Sequence, residues 1–313
     1  MASRLRKFLN IFIDAGIEFV DDNATKLSAS LAYYTLFSIG PLLLVIVTML
    51  GFFYSRAYIT TQIFDEIRNI IGDNATSQLQ SVLVNMSHQT NKTLLGIIGI
   101  LVFIFGATGI FSEIQGSINY IWSVKAKPKS SWLKYLRDRL LSLALVIGMG
   151  FLMMVTIFIN LLIDLLSGRM HRILGDADII LLKMANLGLL FLVVTLVFLV
   201  IFKILPDARI HWKDALIGSV LTSILFLIGK FLISYYISYS KSLNLYGAAT
   251  SIIILLSWVY YSSIILYYGA TFIEVYAHTY GKGITVKDNA VHIIKRESIS
   301  RHLRRDMNSD EPE

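Results

Sequence analysis

Ile179-Ile-Leu-Leu-Lys-Met-Ala-Asn-Leu-Gly-Leu-Leu-Phe-Leu-Val-Val-Thr-Leu-Val-Phe-Leu-Val-Ile-Phe-Lys-Ile204 is apolar along nearly its whole length, with charges only at Lys183 and Lys203, near its two ends. As a helix rising 1.5 Å per residue it is longer than a hydrocarbon core about 30 Å thick. Moving outward, Ala215–Ile237 and Ala248–Ile273 repeat the feature downstream, and Tyr33–Tyr54, Leu94–Phe111 and Leu140–Leu162 repeat it upstream. Lipid offers no partner for a backbone N–H or C=O, so each stretch closes its own hydrogen bonds as a helix. The expected fold class is therefore all-α: an integral membrane bundle of six helices within residues 28–280.

The rest of the composition agrees. The chain of 313 residues is 55% hydrophobic, with a mean hydropathy of +0.65, more than a soluble core of this size requires. Cys is absent, which removes disulfides, thiolate nucleophiles and Cys-ligated metals. Asp14, Glu18, Asp21 and Asp22 interrupt the first thirty residues, so no cleaved signal peptide is expected.

Basic residues set the direction. Counting Lys203 at its span end, twenty Lys and Arg flank the spans on the side of the termini, against six on the other. Both termini are thereby predicted in the cytoplasm, with the chain crossing the membrane several times. The net charge of +7 is accounted for by this asymmetry and by attraction to anionic lipid headgroups. Membrane lipids are the expected partners, and no nucleic acid is needed to explain the charge.

Within residues 1–27, Leu5, Phe8, Leu9, Phe12, Ile13, Gly16, Phe19 and Val20 recur at helical spacing, with Arg4, Lys7, Asp14, Glu18 and Asp21 elsewhere. This predicts an amphipathic helix, which the aromatic content of its apolar face places along the headgroup plane. Packing beneath the bundle is the alternative that would bury the same face. In the outward loop 55–93, Ile63, Phe64, Ile67, Ile70 and Ile71, then Leu79, Val82, Leu83 and Met86, predict two short helices joined at Gly72-Asp73-Asn74. Residues 284–313 mix charges without an apolar period and are expected to be a disordered cytoplasmic tail.

The few polar residues inside the spans are the functional candidates. Gly99, Gly106, Gly109, Glu113 and Gly116 share one helical face. Either the glycines let a neighbouring helix come close while Glu113 pairs with a cation there, or the groove lines a cavity. An Asp164–Lys183 pair is expected near the outward ends of the third and fourth spans. Lys230 either snorkels to the interface or faces a cavity that takes an acidic or phosphate-bearing ligand. Glu274 reads as an interfacial residue. Six scattered His, no Gly-Lys-Ser/Thr phosphate loop and no Gly-x-Ser-x-Gly elbow give no support for an enzyme, a cofactor or a metal site.

Several stretches, taken in order, resemble the YihY/BrkB family of bacterial inner-membrane proteins. They are Lys26–Pro41, Gly109–Trp122, Leu205–Gly218, Gly229-Lys230, Tyr246-Gly247-Ala248, Trp258 and Gly269–Glu274. The resemblance implies six spans and a permease-like activity without settled chemistry; an older label, ribonuclease BN, has no basis in these residues. It also implies functional positions at Tyr33, Tyr34, Pro41, Glu113, Asn119, Pro206, Arg209, Lys230, Tyr246, Gly247, Trp258 and Glu274. Pro206 to Trp212 has a structural explanation too, as a helix-breaking hairpin anchored at the interface. The expected function is a non-ATPase transporter or flippase-like protein for an envelope lipid or another amphipathic anionic compound. The alternative is a membrane scaffold that recruits envelope-assembly proteins. Neither reading carries a signal for a particular oligomeric state.

Overall fold

The computed structural model describes residues 2–50, 109–127, 177–239 and 249–295, together with isolated positions between 61 and 148. Helix α1 spans Ala2–Asp21 and α2 spans Ala24–Leu50. Residues 109–121 are helical and are called α3, followed by strand β1 at Val124–Ala126. Helix α4 is Ala177–Ile204, β2 is Ala208–Arg209, α5 is Trp212–Tyr239 and α6 is Ala249–Thr279. Strands β3, Thr285–Val286, and β4, Ala290–His292, complete the described elements.

Helices dominate, as expected, and α6 is the element the others gather on: α1, α2 and α5 pack against it, and α4 packs against α5. Of the described helices, α4 and α5 are long and apolar enough to cross a membrane, over Leu187–Ile204 and Trp212–Lys230. Large apolar side chains stand bare along them, among them Met184, Leu192, Leu196, Ile224, Ile228 and Leu232. Most of the second and third predicted spans, the Asp164–Lys183 pair and nearly all of loop 55–93 lie outside the described residues.

Close packing between α5 and α6 rests on small residues. A methyl group added at Gly218 would overlap Ile273, one at Gly229 would overlap the Tyr261 ring, and one at Gly269 would overlap Thr222. Hydroxyls on this face stay satisfied without leaving their own helix: Ser219, Thr222 and Ser223 each donate to the carbonyl four residues back, at 2.7 Å. Such contacts suit helices in an apolar environment, where van der Waals packing rather than water expulsion holds them together. Of the glycine face expected on the second span, Gly99 and Gly106 lie outside the described residues. Gly109 meets Tyr34 of α2 at an ordinary 3.6 Å, and Gly116 faces open space.

Four short strands depart from the all-α expectation, and all sit at one end of the bundle. β1 pairs antiparallel with β4, and β2 with β3. They form because α6 stops: Gly283, at a left-handed φ of 72°, donates its N–H to the Ala277 carbonyl at 2.9 Å and turns the chain back. Residues 284–295 then run along the ends of the helices as a strap, so this part of the predicted disordered tail is ordered. Ile284 and Ala290 join the buried core with Val286 packed against it, and edge backbone at β1 and β2 supplies the hydrogen bonds. Residues beyond Lys295 lie outside the described ones.

Helix α1 packs its aromatic face on the bundle. Ile11, Ala15 and Phe19 are buried at i, i+4 and i+8, with Phe12 and Phe272 rings 5.1 Å apart and the Tyr268 hydroxyl donating to the Phe12 carbonyl at 3.1 Å. A second apolar stripe, Leu9, Ile13, Ile17 and Val20, is 53–67% exposed. One face therefore packs on α6, the placement given above as the alternative, and the other remains available to lipid.

Candidate functional site

Asn119 and Arg209, two of the candidate positions, are engaged in holding the strand end together. Gln115 and Asn119, one turn apart on α3, both donate to Oδ2 of Asp207, at 3.1 and 3.0 Å, and the Asp207 N–H donates to Asn119 Oδ1 at 2.8 Å. Asp207 is buried, so this reciprocal clamp satisfies a carboxylate that would otherwise be costly. Its position follows from Pro206, which ends α4 and starts the turn into β2. Lys287 of the strap donates to the Pro206 carbonyl at 2.6 Å, and exposed Arg209 pairs with Asp288 at 2.9 Å. The helix break and hairpin expected at Pro206 to Trp212 are present, with Trp212 61% exposed and the Lys203 ammonium 5.1 Å from its ring centre. Trp122 is fully buried and donates its indole N–H to the Ala270 carbonyl of α6 at 2.9 Å.

Tyr34 meets Gly109 where α2 touches α3, with Tyr33 beside it on α2 and Glu113 one turn further along α3. Tyr33, Tyr34 and Phe37 are 61%, 44% and 66% exposed, with the rings of Tyr33 and Phe37 centred 4.9 Å apart. Gly109 lies against Tyr34; Glu113 is half-buried one turn on, and Gly116 is open after it. Glu113 also lies near enough to the Tyr267 hydroxyl of α6 to act on it electrostatically. Lys230 is half-buried on α5, beside the Gly229–Tyr261 contact. Trp258 packs edge-on against Phe226, 5.9 Å away, extending a ring series through Phe198 and Phe202 across three helices. Tyr246 and Gly247 lie outside the described residues; Pro41 falls within α2, which continues through it.

A second constellation was not assembled by sequence reasoning. Glu18 of α1, Asp22 in the α1–α2 turn, Glu274 of α6 and Lys295 of the strap converge at the strand end. Asn23, at a left-handed φ of 53°, makes the tight turn that brings Asp22 inward. Lys295 pairs with Asp22 Oδ1, donates to the Ile121 carbonyl at 3.2 Å and stands 4.7 Å from the centre of the Tyr120 ring. Glu274, one residue beyond the sixth apolar stretch, is 7% exposed, and its carboxyl is pushed up to about 8. Burial is the main cause, reinforced by the charges of Glu18 and Asp22 and opposed by Lys295. The Glu18 and Asp22 carboxyls are raised as well, also chiefly by burial. Residues 18, 22, 274 and 295 share no motif or spacing; the only sequence signal was an acid directly after a long apolar run.

Comparison with known proteins places these elements in a family. A family model described as virulence factor BrkB matches residues 17–292. A UPF0761 membrane protein of Pseudoalteromonas atlantica is 29% identical over 87% of this chain and 89% of its own length. Another from Pseudomonas aeruginosa is 30% identical over 82% of this chain and 60% of its own length. A Bacillus subtilis protein carrying the name ribonuclease-like protein YfkH is 28% identical over 77% of this chain and 86% of its own length. The chain spans about 60% of the length of the Pseudomonas relative and of a Saccharophagus degradans relative. No solved structure matches. The resemblance carried by Lys26–Pro41, Gly109–Trp122 and the later stretches is therefore one of descent, and the chain belongs to the BrkB family of bacterial membrane proteins.

Proposed function

We propose that the chain is a non-ATPase inner-membrane transporter, flippase-like, for an envelope lipid or other amphipathic anionic compound, with six spans and both termini cytoplasmic. The observation that supports this most is the open face along α2 and α3, where Tyr33, Tyr34 and Phe37 stand exposed beside Gly109, Glu113 and Gly116. Exposed rings beside a helix that lacks side-chain bulk offer an acyl chain a place to lie, and a half-buried carboxylate marks the polar end of that path. On this reading the strand end is cytoplasmic. There Lys203, Arg209, Lys213, Lys282 and Lys287 would draw an anionic headgroup, and Lys230 is the cation waiting deeper in α5.

The test is translocation of a fluorescent anionic phospholipid in vesicles containing the purified full chain. Glu113→Ala and Lys230→Ala should each abolish it while the protein still inserts and melts as the parent does. Full activity in both variants, or no translocation by the parent, would reject transport. Loss of function only on deletion of loop 55–93 or of the basic tail would point to the scaffold instead.

A further inference from the structure

We propose that Glu18, Asp22 and Glu274 form a buried proton-binding site at the strand end of the bundle, closed by Lys295, and that the proton is the ion coupled to transport. The second half rests on the transporter reading; the first stands on the geometry alone. Asp22 and Glu274 are 5% and 7% exposed, and each keeps one carboxylate oxygen, Oδ2 and Oε2, without a hydrogen-bond partner. A buried carboxylate oxygen that no donor reaches is satisfied most directly by a proton.

The charges around the site decide its occupancy. Glu18 comes from α1 and Asp22 from the α1–α2 turn, with Asp21 adding a further negative charge beside them. Opposing them are Lys295 from the strap, which acts on all three acids, and His278 of α6, which acts on Glu18. Three acids share one full positive charge, so at least one of them gains by remaining neutral. Glu274 is that group, since Lys295 is bonded to Asp22 and Glu274 Oε2 has no hydrogen-bond partner. A metal ion is the poorer occupant: among the described residues no three acids or histidines are placed to ligate one.

The exchange is simple. Glu274 gives its proton to water at the strand end and takes one back, and only an O–H bond changes. Lys295 reads the result. While Glu274 is neutral, Lys295 answers to Asp22, the Ile121 carbonyl and the Tyr120 ring, and the strap stays seated through the Ile293 N–H on the Ser123 carbonyl at 2.8 Å. Loss of the proton presents Lys295 with a second anion and changes the balance that holds the strap over the helix ends.

Infrared titration of the full chain in lipid nanodiscs tests the site without any transport assay. A protonated-carboxyl stretching band should persist at neutral pH, disappear at alkaline pH and be missing in Glu274→Gln. Its midpoint should fall by about half a pH unit or more in Glu18→Gln and rise by a similar amount in Lys295→Met, since a raising and a lowering charge are removed. A band unaffected by Glu274→Gln, or one lost within the ordinary carboxylate range, would overturn the site, as would midpoints that ignore both neighbours. Coupling is tested in anionic phospholipid vesicles by imposing a pH gradient. Translocation should respond several-fold in the parent chain and not in Glu274→Gln. Translocation indifferent to the gradient would overturn coupling and leave the site standing, whereas absence of any translocation would remove coupling together with the transporter reading.

Discussion

Asn119 shows how a residue singled out for chemistry can be occupied by architecture. Its amide both donates to the Asp207 carboxylate and accepts the Asp207 N–H, leaving little of it for a substrate. Asn119→Ala should therefore lower thermal stability by about 1–3 kcal/mol, because a buried carboxylate and an N–H lose their partners. Lipid translocation per folded molecule should be unchanged, and a selective loss of activity would return Asn119 to the substrate path. Glu274 makes the opposite prediction about pH. Its folded carboxyl is raised to about 8 from an ordinary 4.5, so the folded state binds the proton more tightly than the unfolded state does. The stability this contributes is complete below about 4.5 and is lost as pH rises through about 8. Melting temperature should fall between about pH 4.5 and pH 8 in the parent chain, and Glu274→Gln should flatten that slope.

At the scale of elements, the α5–α6 contact and α1 carry the most definite expectations. Ala at Gly218 or Gly229 places a methyl group into Ile273 or the Tyr261 ring, so each should destabilise by about 1–3 kcal/mol in detergent melts. Gly116→Ala meets nothing within 4 Å and should be neutral or mildly stabilising through helix propensity. Equal effects at all three positions would show that packing is not what distinguishes them. For α1, the two apolar stripes predict different surroundings. A Trp at Ile17, 57% exposed, should be quenched by brominated acyl chains; a Trp at Phe12, packed on Phe272, should be shielded. Periodicity alone made α1 legible as amphipathic. It could not assign the two stripes, because Ile11 and Ile13 lie on nearly opposite sides of a helix yet are chemically the same residue.

Across the whole molecule, the sequence by itself determined what composition and period can encode. Long apolar runs specify helices because lipid leaves the backbone no other partner, and Pro206 marks a break because its ring lacks an N–H and crowds the preceding turn. The family was readable for a similar reason: its signature residues occur in order at the ends of those runs. Tertiary structure alone decided which polar residues meet. The clamp of Asn119 on Asp207 joins positions 88 residues apart, and the Lys295–Asp22 pair joins positions 273 apart. No local rule relates residues so distant. The strap 284–295 is the clearest case, because so short a segment cannot fold alone; order comes from Ile284, Val286 and Ala290 packing on the core, from backbone at β1 and β2, and from the buried Asp22 that pairs with Lys295. Glu274 likewise changed from an interfacial acid to the centre of a buried cluster once α1, α2 and the strap closed around it, since burial and neighbouring charge are properties of the fold and not of the residue.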